Sequence, residues 1–150
     1  MTGLALRSTA FADHGEIPQR FSRADGNVSP PLEWSGVPDT AEELLLLCED
    51  PDAPRGPFLH WLVTGIDPTV TAAPEGQPPP GGREWPNDFG TPGWGGPHPP
   101  VGDRPHRYRI HLYALSGPPR LPARPRARDV ERAVEGLVLA SGVLEGRYGR

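Results

Sequence analysis

Lysine is absent from this chain. All 15 basic side chains are arginine, and against 19 acidic ones they leave a formal charge of −4. A weakly acidic chain without a basic stripe is a poor nucleic-acid binder, because affinity for a phosphate backbone needs clustered cations. The one local cluster, Arg120, Arg124, Arg126, Arg128 and Arg132, is interleaved with proline and reads as a solvated linker. Cysteine is nearly as scarce. Cys48 stands alone, which excludes an internal disulfide, and its place in an apolar block marks it as a core thiol. Long hydrophobic runs are missing too. Met1 to Phe11 contains no stretch that could span a bilayer, and the expectation is a cytoplasmic protein.

What is abundant is turn chemistry: 19 glycines and 22 prolines, with hydrophobic residues at 35%. That composition approaches the range of disordered chains. Against disorder, the apolar residues gather into blocks, Leu44 to Cys48, Phe58 to Val63 and Tyr108 to Leu115, separated by Gly/Pro punctuation. Such blocks describe a loop-rich, mainly β protein, and 150 residues fit one domain over 1–150. Met1 to Phe21 reads as a leading segment, with Leu4, Leu6 and Phe11 available for short strands. Thr40 and Glu43 have capping-box spacing, but no helical period follows. Leu44 to Asp50 is instead expected as a strand buried on both faces, ended by the two prolines of Asp50-Pro51-Asp52-Ala53-Pro54.

In the strand expected at Phe58 to Val63, alternation puts Phe58, His60 and Leu62 on one side. A third strand, His106 to Leu112, offers His106, Tyr108, Ile110 and Leu112 to one face, and Arg107, Arg109 and His111 to a polar one. The long connection from Asp67 to Pro105 carries Trp85, Phe89 and Trp94. Leaving each in water would forfeit about 1.5–3 kcal/mol of burial, so the loop is expected to fold back and pack. From Asp129 to Gly146, Val130, Ala133, Val134, Leu137, Ser141 and Leu144 recur at helical spacing. A helix is expected there, with Asp129 as N-cap and Gly146 as its stop.

Chemistry is expected where polar groups interrupt apolar faces: Asp50, His60, His106 and Tyr108. Two imidazoles and a phenol supply donors for an anion, and Asp50 can fix a histidine tautomer or hold the ring protonated. Asp50 repels a dianion, so a charged histidine, or a ligand bringing a proton or an amine, makes the better match. Asp52 reads as part of a rigid turn, although Asp50 and Asp52 could also form a carboxylate pair. A zinc site from His98, His106 and another ligand lacks a recognised spacing, and Asn27-Val28-Ser29 is a glycosylation signature without a secretory context. No Gly-x-Ser-x-Gly, Walker or dinucleotide motif occurs, and no cofactor is expected.

Two long motifs then carry a resemblance: Asp50-Pro51-Asp52-Ala53-Pro54 followed by His60-Trp61, and Gly96-Pro97-His98-Pro99-Pro100-Val101-Gly102-Asp103-Arg104-Pro105-His106-Arg107-Tyr108. Ser29 to Trp34, Asn87 to Gly90 and Gly146 to Arg150 support them in order along nearly the whole chain. The sequence resembles the phosphatidylethanolamine-binding protein family, in its bacterial Raf-kinase-inhibitor-like (YbhB/YbcL-type) branch. The resemblance implies a Greek-key β-sandwich with a C-terminal helix and a long Pro/Gly-rich loop. It also implies a shallow pocket for a phosphate headgroup or similar small anion. Asp50, His60, His106 and Tyr108 would line that pocket, Pro99 and Pro100 its rim, with Phe58 beside it and Asp52 bracing the turn. His98 stands where many bacterial relatives have cysteine, an added donor if it points inward. Regulation of a kinase or another protein partner, peptidase inhibition, and homodimers in bacterial relatives are expectations of the resemblance alone. The rival from a different class is a metal-assisted hydrolase using Asp50, Asp52 and His98.

Overall fold

A computed structural model describes residues 3–150, so Met1 and Thr2, the first residues of the expected leading segment, lie outside the described residues. In chain order the strands are β1 (Ala5–Arg7), β2 (Gly15–Glu16), β3 (Leu32–Ser35), β4 (Glu43–Asp50), β5 (Phe58–Ile66), β6 (Ala72–Ala73), β7 (Arg83–Glu84), β8 (His106–Leu115) and β9 (Val138–Tyr148); among the described residues one α-helix, α1 (Ala127–Val134), precedes β9, and a 3-10 turn covers Gln19–Phe21. They form two sheets. The small one has the order β1-β3-β6, and the large one β2-β9-β8-β4-β5-β7.

The continuous apolar run of β4 is explained by its central place in the large sheet, between β8 and β5. Leu44, Leu46 and Cys48 face the small sheet and pack with Leu6, Leu32, Trp34, Ile110 and Leu112. Leu45 and Leu47 point the other way, into a second core with Leu59, Leu62, Trp85, Leu115 and the helix residues Val130 and Val134. Burial on both faces, expected from the sequence, follows from three layers: small sheet, large sheet, helix.

The expected C-terminal helix is much shorter than its spacing suggested. It ends at Val134, and Gly136, with φ 77°, turns the chain into a strand. Residues 138–148 pair antiparallel along the length of β8 instead. Of the positions that suggested a helix beyond Gly136, only Leu144 is buried in the strand, where Ala140 joins it, and two glycines let the strand pack closely. A side chain at Gly142 would collide with the backbone of Leu4, and one at Gly146 with Ile17 and Phe11. The N-cap is Arg126 rather than Asp129. Asp129 lies in the first turn, where its carboxylate accepts the Arg126 N–H at 2.8 Å.

The connection from Asp67 to Pro105 does fold back. Trp85 is buried and donates its indole N–H to Thr64 Oγ1 at 2.8 Å. Trp94 meets Trp61 edge-on at 5.5 Å and donates to the carbonyl of Phe21 at 3.1 Å. Beside it, Gly96 N–H donates to Asn27 Oδ1 at 2.7 Å, and Arg23 N–H to Pro97 O at 3.0 Å. Backbone approaches backbone so closely here that a Cβ at Gly96 would strike the Phe21 carbonyl and the Arg23 nitrogen. This lacing holds the loop against β5 and the segment 21–27.

Candidate functional site

His60 owes its position to an irregularity in β5. Asp50 pairs with Phe58 and Glu49 with Leu59, but Cys48 pairs with Trp61, so His60 is the additional residue of a bulge. Cross-strand partners share a face, so His60 and Trp61 both turn toward the small sheet. Leu62, expected beside His60, lies in the helix-side core instead. The bulge leaves the His60 backbone free of the ladder, and the returning loop takes it up. Gly95 N–H donates to His60 O at 2.9 Å, and His60 Nδ1–H donates to Gly95 O at 2.6 Å. Burial depresses the imidazole to about 4, against the help of the Gly95 and Gly96 backbone. At neutral pH the ring is therefore uncharged. Its proton sits on Nδ1, which leaves Nε2 as an acceptor rather than the donor expected from the sequence.

His106 and Tyr108 follow each other on the inner face of β8, and the Asp50 carboxylate arrives from the end of β4. Asp50 Oδ2 lies 2.7 Å from His106 Nδ1, and Asp103 Oδ2 lies 3.1 Å from Nε2. Carboxylates on both nitrogens require an N–H on each, which is the imidazolium. Burial opposes that charge, but the bonds with Asp50 and Asp103 prevail, and the His106 pKa is raised. Burial also raises the Asp50 carboxyl, partly offset by its bonds with His106 and the Asp52 N–H. Asp103 was not anticipated from the sequence; its three-residue separation from His106 was the available signal.

Tyr108 lies between the two imidazoles, its ring 5.2 Å from His60 and 6.5 Å from His106. Its hydroxyl is buried; the His98 backbone N–H approaches the oxygen, and the hydroxyl's own proton has no acceptor. Burial and the nearby Asp50 charge push its pKa well up, so it remains a donor in search of an acceptor. Phe58 and Phe89 complete the wall on the His60 side, with ring centroids 4.7 Å apart and 4.8 and 5.6 Å from His60. The Arg23 guanidinium covers Phe89 at 3.8 Å.

The cluster is nearly closed: Asp50, His60, His106 and Tyr108 are 3%, 3%, 5% and 1% exposed. This differs from the shallow pocket that the resemblance implied. A surface hollow of about 530 Å³, lined by Asp52, Asp103, Arg104, Pro105, His106, Arg107 and Arg147, meets the cluster at His106. Asp52 braces the turn from outside. Its N–H donates to Asp50 Oδ1 at 2.8 Å, and its carboxylate accepts from Arg107 N, Nε and Nη2 at 2.8–3.0 Å, which lowers it to about 2. Pro99 is buried, and its carbonyl accepts from Arg150 Nε at 2.8 Å; Pro100 is exposed. His98 is exposed, 6.4 Å from Phe89 ring to ring, and joins neither Asp50 nor Asp52. Among the described residues, no group of three or more His, Cys, Asp and Glu is arranged to hold a metal. The geometry therefore gives the hydrolase built on Asp50, Asp52 and His98 no support.

A two-sheet sandwich whose large sheet ends in an aspartate, two histidines and a tyrosine, sealed by a Gly/Pro-rich loop, defines the class of ligand-binding scaffold to which the chain belongs. The chain belongs to the phosphatidylethanolamine-binding protein family, whose sequence profile matches residues 7–149. A UPF0098 protein of Methanothermobacter thermautotrophicus is 43% identical, over 97% of this chain and 98% of its own length. A Mycobacterium tuberculosis protein named "Putative lipoprotein LppC" is 42% identical over 95% of this chain and 73% of its own, so kinship alone fixes no compartment. Among solved structures, Escherichia coli YbcL, described as a member of the mammalian PEBP family, superposes with a TM-score of 0.88. It is 28% identical, over 99% of both chains. A PEBP homologue from Chlamydia trachomatis reaches 0.87 at 32% identity, over 100% of this chain and 99% of its own. No helix among the described residues is long and apolar enough to cross a membrane.

Proposed function

We propose that this protein binds a small ligand carrying a phosphate-like anionic group at the cluster of His60, His106 and Tyr108, and that it acts as a binding module rather than an enzyme. The observation that carries this reading is the Tyr108 hydroxyl, a buried donor without a partner, set between two imidazoles. Native proteins rarely leave such a group unpaired, since its desolvation costs about 1–3 kcal/mol that a bound acceptor recovers. The imidazolium of His106 supplies the positive charge. Neutral His60, with its proton held by Gly95, presents an acceptor at Nε2. The set suits an anion that also offers a hydrogen, such as a monoprotonated phosphate or a phosphate ester bearing an amine. The headgroup in the family's name meets this description.

Calorimetric titration with inorganic phosphate and with phosphoethanolamine between pH 5 and 8 tests the reading. Saturable binding that weakens as His106 loses its proton is expected. Binding unchanged in the His60→Ala, His106→Ala double variant would overturn it. Regulation of a protein partner through the same site is compatible with this reading, as is the cytoplasmic placement expected from the sequence. Fractionation of the native cells checks the latter, and recovery with the membrane would refute it.

A further inference from the structure

The inner cluster lies behind His106, and the side of His106 that faces the hollow is already occupied. Asp103 holds Nε2 at 3.1 Å, yet its side chain is 43% exposed while that of His106 is 7% exposed. It belongs to the turn after Pro100, where Gly102 has φ 89° and Asp103 N–H donates to Pro100 O at 3.2 Å. A carboxylate oxygen on a buried imidazolium N–H is the contact that an oxygen of a phosphate would make. The surrounding charge is not matched to Asp103 alone. Arg107 is committed to Asp52, whereas Arg104 and Arg147, which line the same hollow, form no ion pair among the described residues. Two arginines outside any ion pair therefore line a hollow of about 530 Å³ whose two carboxylates are Asp52, paired with Arg107, and Asp103, held on His106.

We propose that this hollow is where the ligand's anion first docks on its way to the inner cluster, and that Asp103 is an internal stand-in for it on His106 Nε2, displaced on binding while Arg104 and Arg147 receive the incoming charge. The inference rests on the anion-binding reading above and adds to it a route and a competitor. Releasing Asp103 returns a half-exposed carboxylate to water, and the buried His106 N–H that it leaves is taken up by the incoming anion. Asp103, Pro105 and Arg147 also wall the neighbouring hollow of about 1180 Å³, so the released side chain has solvent-filled space beside it. The anion gains more than Asp103 loses, since a phosphate brings several acceptor oxygens to guanidinium forks that suit them.

Titration with inorganic phosphate at pH 6 tests the inference in wild type, Asp103→Ala, Asp103→Asn, the Arg104→Gln, Arg147→Gln double variant and Tyr108→Phe. Removing the internal competitor is expected to tighten binding by about fivefold in both Asp103 variants, and removing the two arginines to weaken it by at least a similar factor. In nitrogen-edited NMR, phosphate should perturb Nε2 of His106 as deletion of Asp103 does. If neither Asp103 variant binds more tightly, the inference is overturned. Binding that depends on Tyr108 but ignores Asp103, Arg104 and Arg147 would leave the inner site standing and remove this one. Phosphate that binds neither wild type nor the Asp103 variants would remove both.

Discussion

On the proposed reading, Tyr108 sets stability against binding in a single hydroxyl. Its proton is buried without an acceptor, and replacing the hydroxyl with hydrogen removes that uncompensated desolvation. Tyr108→Phe is therefore expected to stabilise the unliganded protein by about 1 kcal/mol in urea denaturation while weakening phosphate binding. A variant that loses stability would mean that the hydroxyl is satisfied within the fold. His60 makes a second conflict, this one read by pH. Its folded pKa, about 4, lies below its ordinary value. The unfolded chain takes up a proton near pH 6.5, which the folded ring refuses until about 4. Stability is thus lost as pH falls through that window, by up to about 3 kcal/mol at roughly 1.4 kcal/mol per unit. His106 behaves oppositely: with its folded pKa raised, its contribution is full below the ordinary histidine value and fades as pH rises through the folded one. Comparing the pH dependence of unfolding in wild type and His60→Leu isolates the first effect; parallel curves would contradict it.

Among the elements, strand β4 was legible because burial on both faces leaves a continuous apolar run. The alternation of β8 was legible because one face is wet: its inner residues are buried, whereas Arg107 is exposed and Arg109 and His111 are half-buried. The bulge in β5 was not legible. It depends on which residue of β4 lies opposite, and a lone strand carries no record of its partner's register. The exchange of helix for strand after Gly136 has a different origin. Leu137, Ser141 and Leu144 keep helical spacing, yet of the three only Leu144 is buried, and the deciding factor is pairing with β8, which the local sequence does not display. The clustered residues Asp50, His60, His106 and Tyr108 were legible by type, as polar groups on apolar faces, but their closure under the loop and the second carboxylate on His106 were not. The glycines that permit these close approaches give a test at this scale. Gly96→Ala and Gly142→Ala each drive a methyl into backbone rather than into a yielding side chain. Each is expected to cost at least about 2 kcal/mol, visible as a fall of several degrees in Tm. An unchanged Tm in either variant would show that these segments can part cheaply.

For the whole molecule, two cores on opposite faces of one sheet make β4 a shared wall, and Cys48 sits in that wall with no exposure. Burial, with Glu49 and Asp50 nearby, pushes its thiol well up, so it is neither reachable nor ionised in the folded state. Its reaction with a disulfide reagent is expected to follow global unfolding, with a denaturant dependence equal to that of the complete transition. Fast labelling in native buffer would reveal a local opening between the sheets.

The bulge in β5 has a consequence for how such sites change over time. Without His60, Phe58, Leu59 and Trp61 would oppose Asp50, Glu49 and Cys48 in unbroken alternation, so the imidazole is itself the interruption. Deleting that one codon would mend the ladder and erase the pocket wall in a single event, whereas any exchange of side chain at the position keeps the kink for a later occupant. Recognition here is inherited as a count of residues as much as by their kind.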